Sequence, residues 1–271
     1  MHDDSPHDVL SHDDPLGARV RGTSAPNYFD EPVATRYDET STEMFDPAEV
    51  VPAVDFLSGL AWGGDALEMG IGTGRLALPL SAHGIRVHGI DLSPAMVDRL
   101  RRKPGGESIG ITLGDFSLAK VPERFSLVYI VYNAIENLVT QDAQVACFCN
   151  AAAHLEPTGC FVVEVEVPQL QRLPPGETAR PFSVTPTHLG FDEIDVATQR
   201  LTSHHYFLDG GRCDAVSMPF RYVWPAELDL MARIAGMTLR ERWADWTREP
   251  FTSASTSHVS VWQKVAPERR A

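Results

Sequence analysis

Residues 67–80, LEMGIGTGRLALPL, run from an apolar stretch into three glycines at alternate positions, then resume an apolar pattern with helical spacing. A strand that breaks into such a turn and continues as a helix brings peptide N–H groups to the helix N-terminus, where backbone meets a ligand closely. The spacing restricts which ligand. A dinucleotide turn needs glycine at its first, third and sixth positions, and here these are Gly70, Gly72 and Arg75. A phosphate-binding loop needs a terminal Gly-Lys followed by Ser or Thr, and none follows. The pattern Glu68-x-Gly70-x-Gly72-x-Gly74 instead presents N–H groups that suit a carboxylate as readily as a phosphate.

Strand and helix signals alternate around this turn. Residues 46–60 read as an amphipathic helix with Asp46 as N-cap and Pro47 at its first position. Strand 66–69 leads into the glycines, and a helix over 73–84 carries Pro79, which is expected to kink it. Strand 85–91 ends in an acid, and Ser93-Pro94 opens the next helix. Strands follow over 108–115, 125–133 and 160–167, with a helix over 140–155 that Glu156-Pro157-Thr158-Gly159 terminates. Such alternation implies right-handed βαβ units and a parallel sheet covered on both faces. It stops after Val167. Residues 168–187 are rich in Pro, Gly and Thr, 199–223 read as a β-hairpin around Asp209-Gly210-Gly211, 225–237 as a helix, and two closing strands follow. The expected organisation is an acidic disordered tail (1–25), a lid segment and core (26–167), an antiparallel insertion (168–224) and a closing helix with two strands (225–271).

Charge narrows the partners. A formal net charge of -14 argues against a nucleic-acid backbone or an anionic membrane surface, and RLRRK (99–103) is short enough to be a solvated helix end. The four cysteines, Cys147, Cys149, Cys160 and Cys213, show no metal-ligand spacing and read as buried free thiols of a reducing cytoplasm. No stretch approaches the length of a membrane span. The first residues lack the apolar core of a signal peptide, and their His-Asp repeats around His2, His7 and His12 read as tail rather than metal site.

Two further signals stand at strand ends, where open α/β sheets bind ligands. Asp91, seventeen residues past Gly74, suits the two hydroxyls of a ribose, and Met96 suits an adenine face. Gly114-Asp115-Phe116 pairs an acid with an aromatic ring, a combination that fits an adenine amino group and edge. With these in place, ALEMGIGTGR, VHGIDLSPAMV, LGDF, FSLVYIVYNAIENL and HLEPTGCFVVEVEVP together resemble the class I S-adenosylmethionine-dependent methyltransferases, over about residues 50–167 and again at 237–264. The resemblance implies a Rossmann-like, mostly parallel seven-stranded α/β sheet of order 3-2-1-4-5-7-6, its last strand antiparallel, with helices on both faces. It implies S-adenosylmethionine as cofactor, with Gly70, Gly72 and Gly74 near its methionyl and ribose parts. Asp91 and Leu92 would meet the ribose, Met96 the adenine face, Asp115 and Phe116 its edge. Tyr132 and Asn133 would lie near the sulfonium, and Tyr37 and Glu68 complete the expected set.

The acceptor is less constrained. Glu136 follows the fourth strand, near the expected methyl group. Glu164 and Glu166 alternate along the fifth strand on one face, and buried acids there are costly unless paired or solvated. Glu136, Glu166, Tyr28 and His188 are the expected catalytic residues. His204 and His205 are adjacent, so in a strand they face opposite ways and form no metal site. The expected reaction is methylation of a small-molecule, bacterial secondary metabolite at an amine nitrogen or an electron-rich, indole-like carbon or nitrogen. A sugar-nucleotide N-methyltransferase, with Arg172, Arg180 and Arg221 as cations for a diphosphate, and a non-catalytic cofactor-binding protein are the alternatives. An NAD-dependent oxidoreductase lacks its third glycine. The insertion is also a candidate homodimer contact.

Overall fold

The computed structural model describes residues 42–265 together with Phe29, Ala34, Tyr37 and Asp38. The tail read over 1–25 and the candidate Tyr28 lie outside the described residues.

Helix α1 (Pro47–Ala61) starts as its sequence dictates, with the Asp46 carboxylate accepting the Ala48 N–H at 2.8 Å. β1 (Ala66–Met69) is buried at every residue, as a central parallel strand covered on both faces must be. α2 (Ala77–Ala82) is shorter than the expected 73–84. Because the helix begins at Ala77, Pro79 falls in its first turn, where a missing N–H costs no helical bond. β2 (Val87–Asp91), α3 (Pro94–Arg102, capped by Ser93), β3 (Gly110–Leu113), β4 (Phe125–Ile130), α4 (Gln141–His154) and β5 (Leu155–Glu166) continue the alternation. The Glu-Pro-Thr-Gly stretch does not end at a loop. It lies within β5 as an irregularity, with Thr158 at φ 66°.

After β5 come four strands, β6 (Ala179–Val184), β7 (His188–Asp195), β8 (Arg200–Asp209) and β9 (Arg212–Arg221). Helix α5 (Pro225–Ile234) and strands β10 (Met237–Trp243) and β11 (Ser257–Lys264) close the chain. The main sheet has the order β10-β11-β5-β4-β1-β2-β3, with β11 antiparallel to both neighbours. This is the expected seven-stranded order. The second sheet, β6-β7-β8-β9, is antiparallel throughout and shares no ladder with the first. Its β8–β9 hairpin turns through Gly210 and Gly211, both at positive φ, as a two-residue turn requires.

Side-chain alternation along β5 splits the core into two layers. Phe161, Val163 and Val165 face α4 and α5, where the Phe148 ring meets Phe161 at 5.0 Å and Trp262 at 5.4 Å. Cys160 and Val162 face the opposite layer with Phe56, Leu57, Leu80 and Trp246. All four cysteines are free thiols, but only Cys147 and Cys160 are buried; Cys149 and Cys213 are exposed, correcting the expectation for that pair. No described helix is long and apolar enough to cross a membrane.

Candidate active site

A cavity of about 330 Å³ opens at the C-terminal ends of β1, β2 and β4. The glycine turn forms its floor. Gly70 N–H donates to Ile90 O at 2.8 Å, folding the turn back over β2, and Gly72 N–H donates to Asp91 Oδ2 at 2.7 Å. Gly72 sits at φ 53° with open space where a Cβ would stand. Asp91 Oδ1 accepts the Ser93 N–H at 2.8 Å, so one carboxylate holds both loops at strand ends. Its pKa is nevertheless raised, because burial outweighs these N–H bonds.

Beneath the turn, Glu68 is 2% exposed and accepts the Tyr129 hydroxyl at 3.0 Å. Burial pushes its pKa up to about 8, so this carboxyl is mostly protonated at neutral pH. Arg75 reaches the cavity from the glycine turn. Its Nη1 donates to Met44 O at 3.3 Å, and its guanidinium lies 5.4 Å from the Tyr132 ring centroid. Its Nη2 is buried with no hydrogen-bond partner among the described residues, Glu164 Oε2 standing 3.8 Å away.

The other wall is built after β4. Tyr132 and Asn133 are consecutive left-handed residues at φ 53° and 57°, a conformation non-glycine residues hold only when neighbours enforce it. Here β5 enforces it. Tyr132 N–H donates to Glu164 Oε2 at 2.9 Å, and Asn133 Oδ1 accepts the Glu166 N–H at 2.8 Å. Glu164 also accepts the Trp246 indole N–H at 2.7 Å, so this acid is a paired brace.

Met96, Leu92, Asp115 and Phe116 line the adjacent side. Asp115 Oδ1 accepts from Ser117 N and Oγ at 2.8 and 2.7 Å, which fixes the side chain in its own turn. The N-terminal segment covers the cavity through Phe29, Tyr37 and Met44, and the insertion through Met218 and Phe220. Asp38 ties that segment down, accepting Thr73 Oγ1 at 2.7 Å and pairing with Lys103 Nζ at 2.7 Å. The Tyr37 hydroxyl is pushed up to about 12 by burial and by Tyr132 nearby.

Eleven of the sequence-derived residues thus surround one cavity: Tyr37, Glu68, Gly70, Gly72, Asp91, Leu92, Met96, Asp115, Phe116, Tyr132 and Asn133. Gly74 does not line it. A Cβ at Gly74 would press on Leu100 at 3.0 Å, so this glycine lets α3 approach the turn. Glu136, Glu166 and His188 also lie outside the lining. His188 pairs with Phe207 across the insertion sheet, four residues from Asp192 along β7 and thus roughly 13 Å away. Glu136 stands in the 3-10 turn Ala134–Asn137, of which Ala134 and Asn137 line the cavity while Ile135 is buried in the core. Burial, then the charges of Glu166 and Asp192, push the Glu136 pKa up to about 8. Glu166 itself is exposed. Arg221 is not a free cation: it is 5% exposed and holds Glu227 at 2.7 Å and Gln199 at 3.0 Å, with Gln144 on its other nitrogen. Sequence reading missed Phe29, Met44, Met218, Phe220 and Asp192, which reach the site only through long-range packing.

Residues 66–159 match a family model described as a methyltransferase domain. The CcbJ methyltransferase from Streptomyces caelestis is 37% identical, with a TM-score of 0.78 over 86% of this chain and 96% of that one. The cypemycin N-terminal methyltransferase of Streptomyces sp is 29% identical over 251 residues, 89% of this chain and 99% of the relative. SAM-bound CalS10, an amino pentose methyltransferase from Micromonospora echinaspora, shares the fold at 20% identity and a TM-score of 0.62, covering 87% of this chain and 98% of that one. The glycine turn, the strand-end acids and the identity to a solved methyltransferase along nearly its whole length agree: this chain belongs to the S-adenosylmethionine-dependent methyltransferases.

Proposed function

We propose that the chain methylates the nitrogen of an amine on a natural-product small molecule. The carrying observation is the place of Glu136, in a turn whose Ala134 and Asn137 line the cavity and within reach of the charges of Glu166 and Asp192. Asp192 is opposed by Arg180 on β6 and held by Ser203, whereas burial and acid charges alone press on Glu136, a setting that an ammonium group relieves. A neutral indole would relieve nothing there, and with Arg221 engaged in the fold a sugar-nucleotide diphosphate loses one of its expected partners. The amino-group substrates in the names of the cypemycin and CalS10 enzymes point the same way.

The donor end fits its cofactor. Arg75 Nη2, buried without a hydrogen-bond partner, matches the methionyl carboxylate, and the open space at Gly72 admits the chain beside it. Asp91 retains lone pairs for ribose hydroxyls, while Met96 and Phe116 offer apolar surface for the adenine. Bound S-adenosylmethionine supplies a methyl group on a positively charged sulfur.

The protein's own task is to position the amine and take its proton. An alkylammonium with a pKa near 10.4 loses a proton to an ordinary carboxylate at a cost of about 8 kcal/mol. Burial strengthens the hold of Glu136 on a proton and lowers that cost, while the arriving ammonium favours the ionised carboxylate that receives it. Glu136 is therefore a competent base, and Asp192 and Glu166 keep the ammonium in reach before the transfer. Placement of the freed lone pair beside the methyl group supplies the rest, since in-line displacement depends mainly on approach geometry. Glu136→Gln should lower kcat with amine acceptors by roughly 10²–10⁴-fold and leave S-adenosylhomocysteine binding unchanged. Glu166→Gln should retain turnover but move the acid limb of the pH–rate profile to lower pH. Full turnover in both variants would remove carboxylate catalysis from consideration.

A further inference from the structure

Met218 and Phe220 line the cavity from one face of the insertion sheet, and the antiparallel register identifies what else shares that face. Directly opposed residues point the same way. Ser203 therefore stands beside Met218, His205 beside Val216, and on β7 Asp192 opposes Ser203 while His188 opposes Phe207. The rings form one continuous row. His188 stacks on Phe207 at 4.7 Å and 7°, lies 5.2 Å from His205 at 8°, and bonds it Nε2 to Nδ1 at 3.1 Å.

Phe182 from β6 completes the row, 5.1 Å from His205. It lies over Gly190, where any Cβ would collide with its ring, so glycine at that position creates the place for it. Phe182, Phe207 and Val216 are left 46%, 40% and 38% exposed, so the outer part of this apolar row is uncovered in the chain as it stands. The imidazole of His205 is held below its usual pKa by burial and by the two neighbouring histidines, which keeps this part of the row uncharged at neutral pH. From Phe220 to Val216 the row runs four residues along β9, roughly 14 Å, before Asp214 ends it.

This face is continuous with the cavity at one end, with Asp192 at the junction. We propose that it binds the body of the acceptor, so the acceptor is an amine at the tip of an elongated, apolar, ring-bearing molecule reaching at least ~14 Å along the strand from Phe220 to Val216. The inference rests on the amine reading above and adds the chemistry of everything behind the nitrogen.

Dansylcadaverine, a primary amine joined by a five-carbon chain to a fluorescent naphthalene, is a suitable probe in the presence of S-adenosylhomocysteine. n-Pentylamine, which has the amine and chain but no ring, serves as competitor. Phe207→Ser and Val216→Ser alter exposed positions. Each should weaken dansylcadaverine at least fivefold and leave competition by n-pentylamine within twofold. Absence of dansylcadaverine binding, or equal binding by the variants and the unaltered protein, overturns the proposal. So does a shift from dimer to monomer in light scattering with probe binding unchanged, which assigns the face to a second copy. Glu136→Gln tests the amine reading separately: it should weaken both amines. If it weakens neither while Phe207→Ser still weakens dansylcadaverine, the wall stands and the amine reading falls.

Discussion

Glu68 gives the fold a defined pH dependence. Its carboxyl has an ordinary pKa of 4.5 in the unfolded chain and about 8 in the folded one, raised by burial against the bond from Tyr129. The folded state therefore holds a proton that the unfolded state releases. Stability from this group is complete below pH 4.5, falls as pH rises, and levels off above pH 8. The whole span corresponds to about 5 kcal/mol, of which about 2 kcal/mol falls between pH 6 and pH 8. Glu68→Gln keeps the shape and an acceptor for Tyr129 but carries no titrating proton. Urea denaturation of the unliganded protein and the variant, followed by tryptophan fluorescence, reads the difference directly. The variant should gain about 2 kcal/mol on the unaltered protein from pH 6 to pH 8, other titrations cancelling in the comparison. A difference constant to within about 0.5 kcal/mol over that interval would refute a buried, protonated Glu68.

His258 acts at the other end of the pH scale. It is fully buried, with a pKa lowered to about 3 by burial and by Arg242, so stability is lost as pH falls from 6.5 toward 3. His258→Gln should flatten that acid limb in denaturation curves. Arg75→Met should raise the dissociation constant of S-adenosylhomocysteine at least ~10-fold by calorimetry, the loss of one charge-assisted bond, without lowering the melting temperature in proportion. Arg221→Met strands Glu227 in a half-buried site and unlinks β9 from α4 and α5, so it should cost about 3–5 kcal/mol in the same urea assay.

The parallel sheet was legible because each βα unit carries its own punctuation: Asp46-Pro47, the glycine turn, Ser93-Pro94, each decided by residues within a few positions. The missing half of the second sheet was not. Strand β6 arises from a stretch crowded with Pro, Gly and Thr, and β7 from one without clear alternation; β7 pairs with β8 and β6 in turn with β7. That Gly70, Gly72, Asp91 and Met96 share one cavity was readable for the same local reason, since they sit at or just past strand ends whose positions follow from the pattern. The acceptor side depends on convergence. Asp192 meets Glu136 across 56 residues of chain, and Met218 and Phe220 enter the cavity through hairpin register, which no local window records. Glu164 illustrates the opposite error: alternation marked it as a costly acid, yet Trp246 and the Tyr132 amide satisfy it.

The two sheets share no ladder, and this separation has a consequence for how such a protein changes over generations. Strands β6 to β9 form ladders only with one another, while the residues that would grip the donor hang from β1, β2 and β4. Substitutions on the outer insertion can thus accumulate without disturbing the inherited machinery beneath. If the insertion holds the acceptor as proposed, a lineage acquires a new customer for its methyl group by redrawing one ribbon, with Arg221 as the rivet that any such redrawing has to preserve.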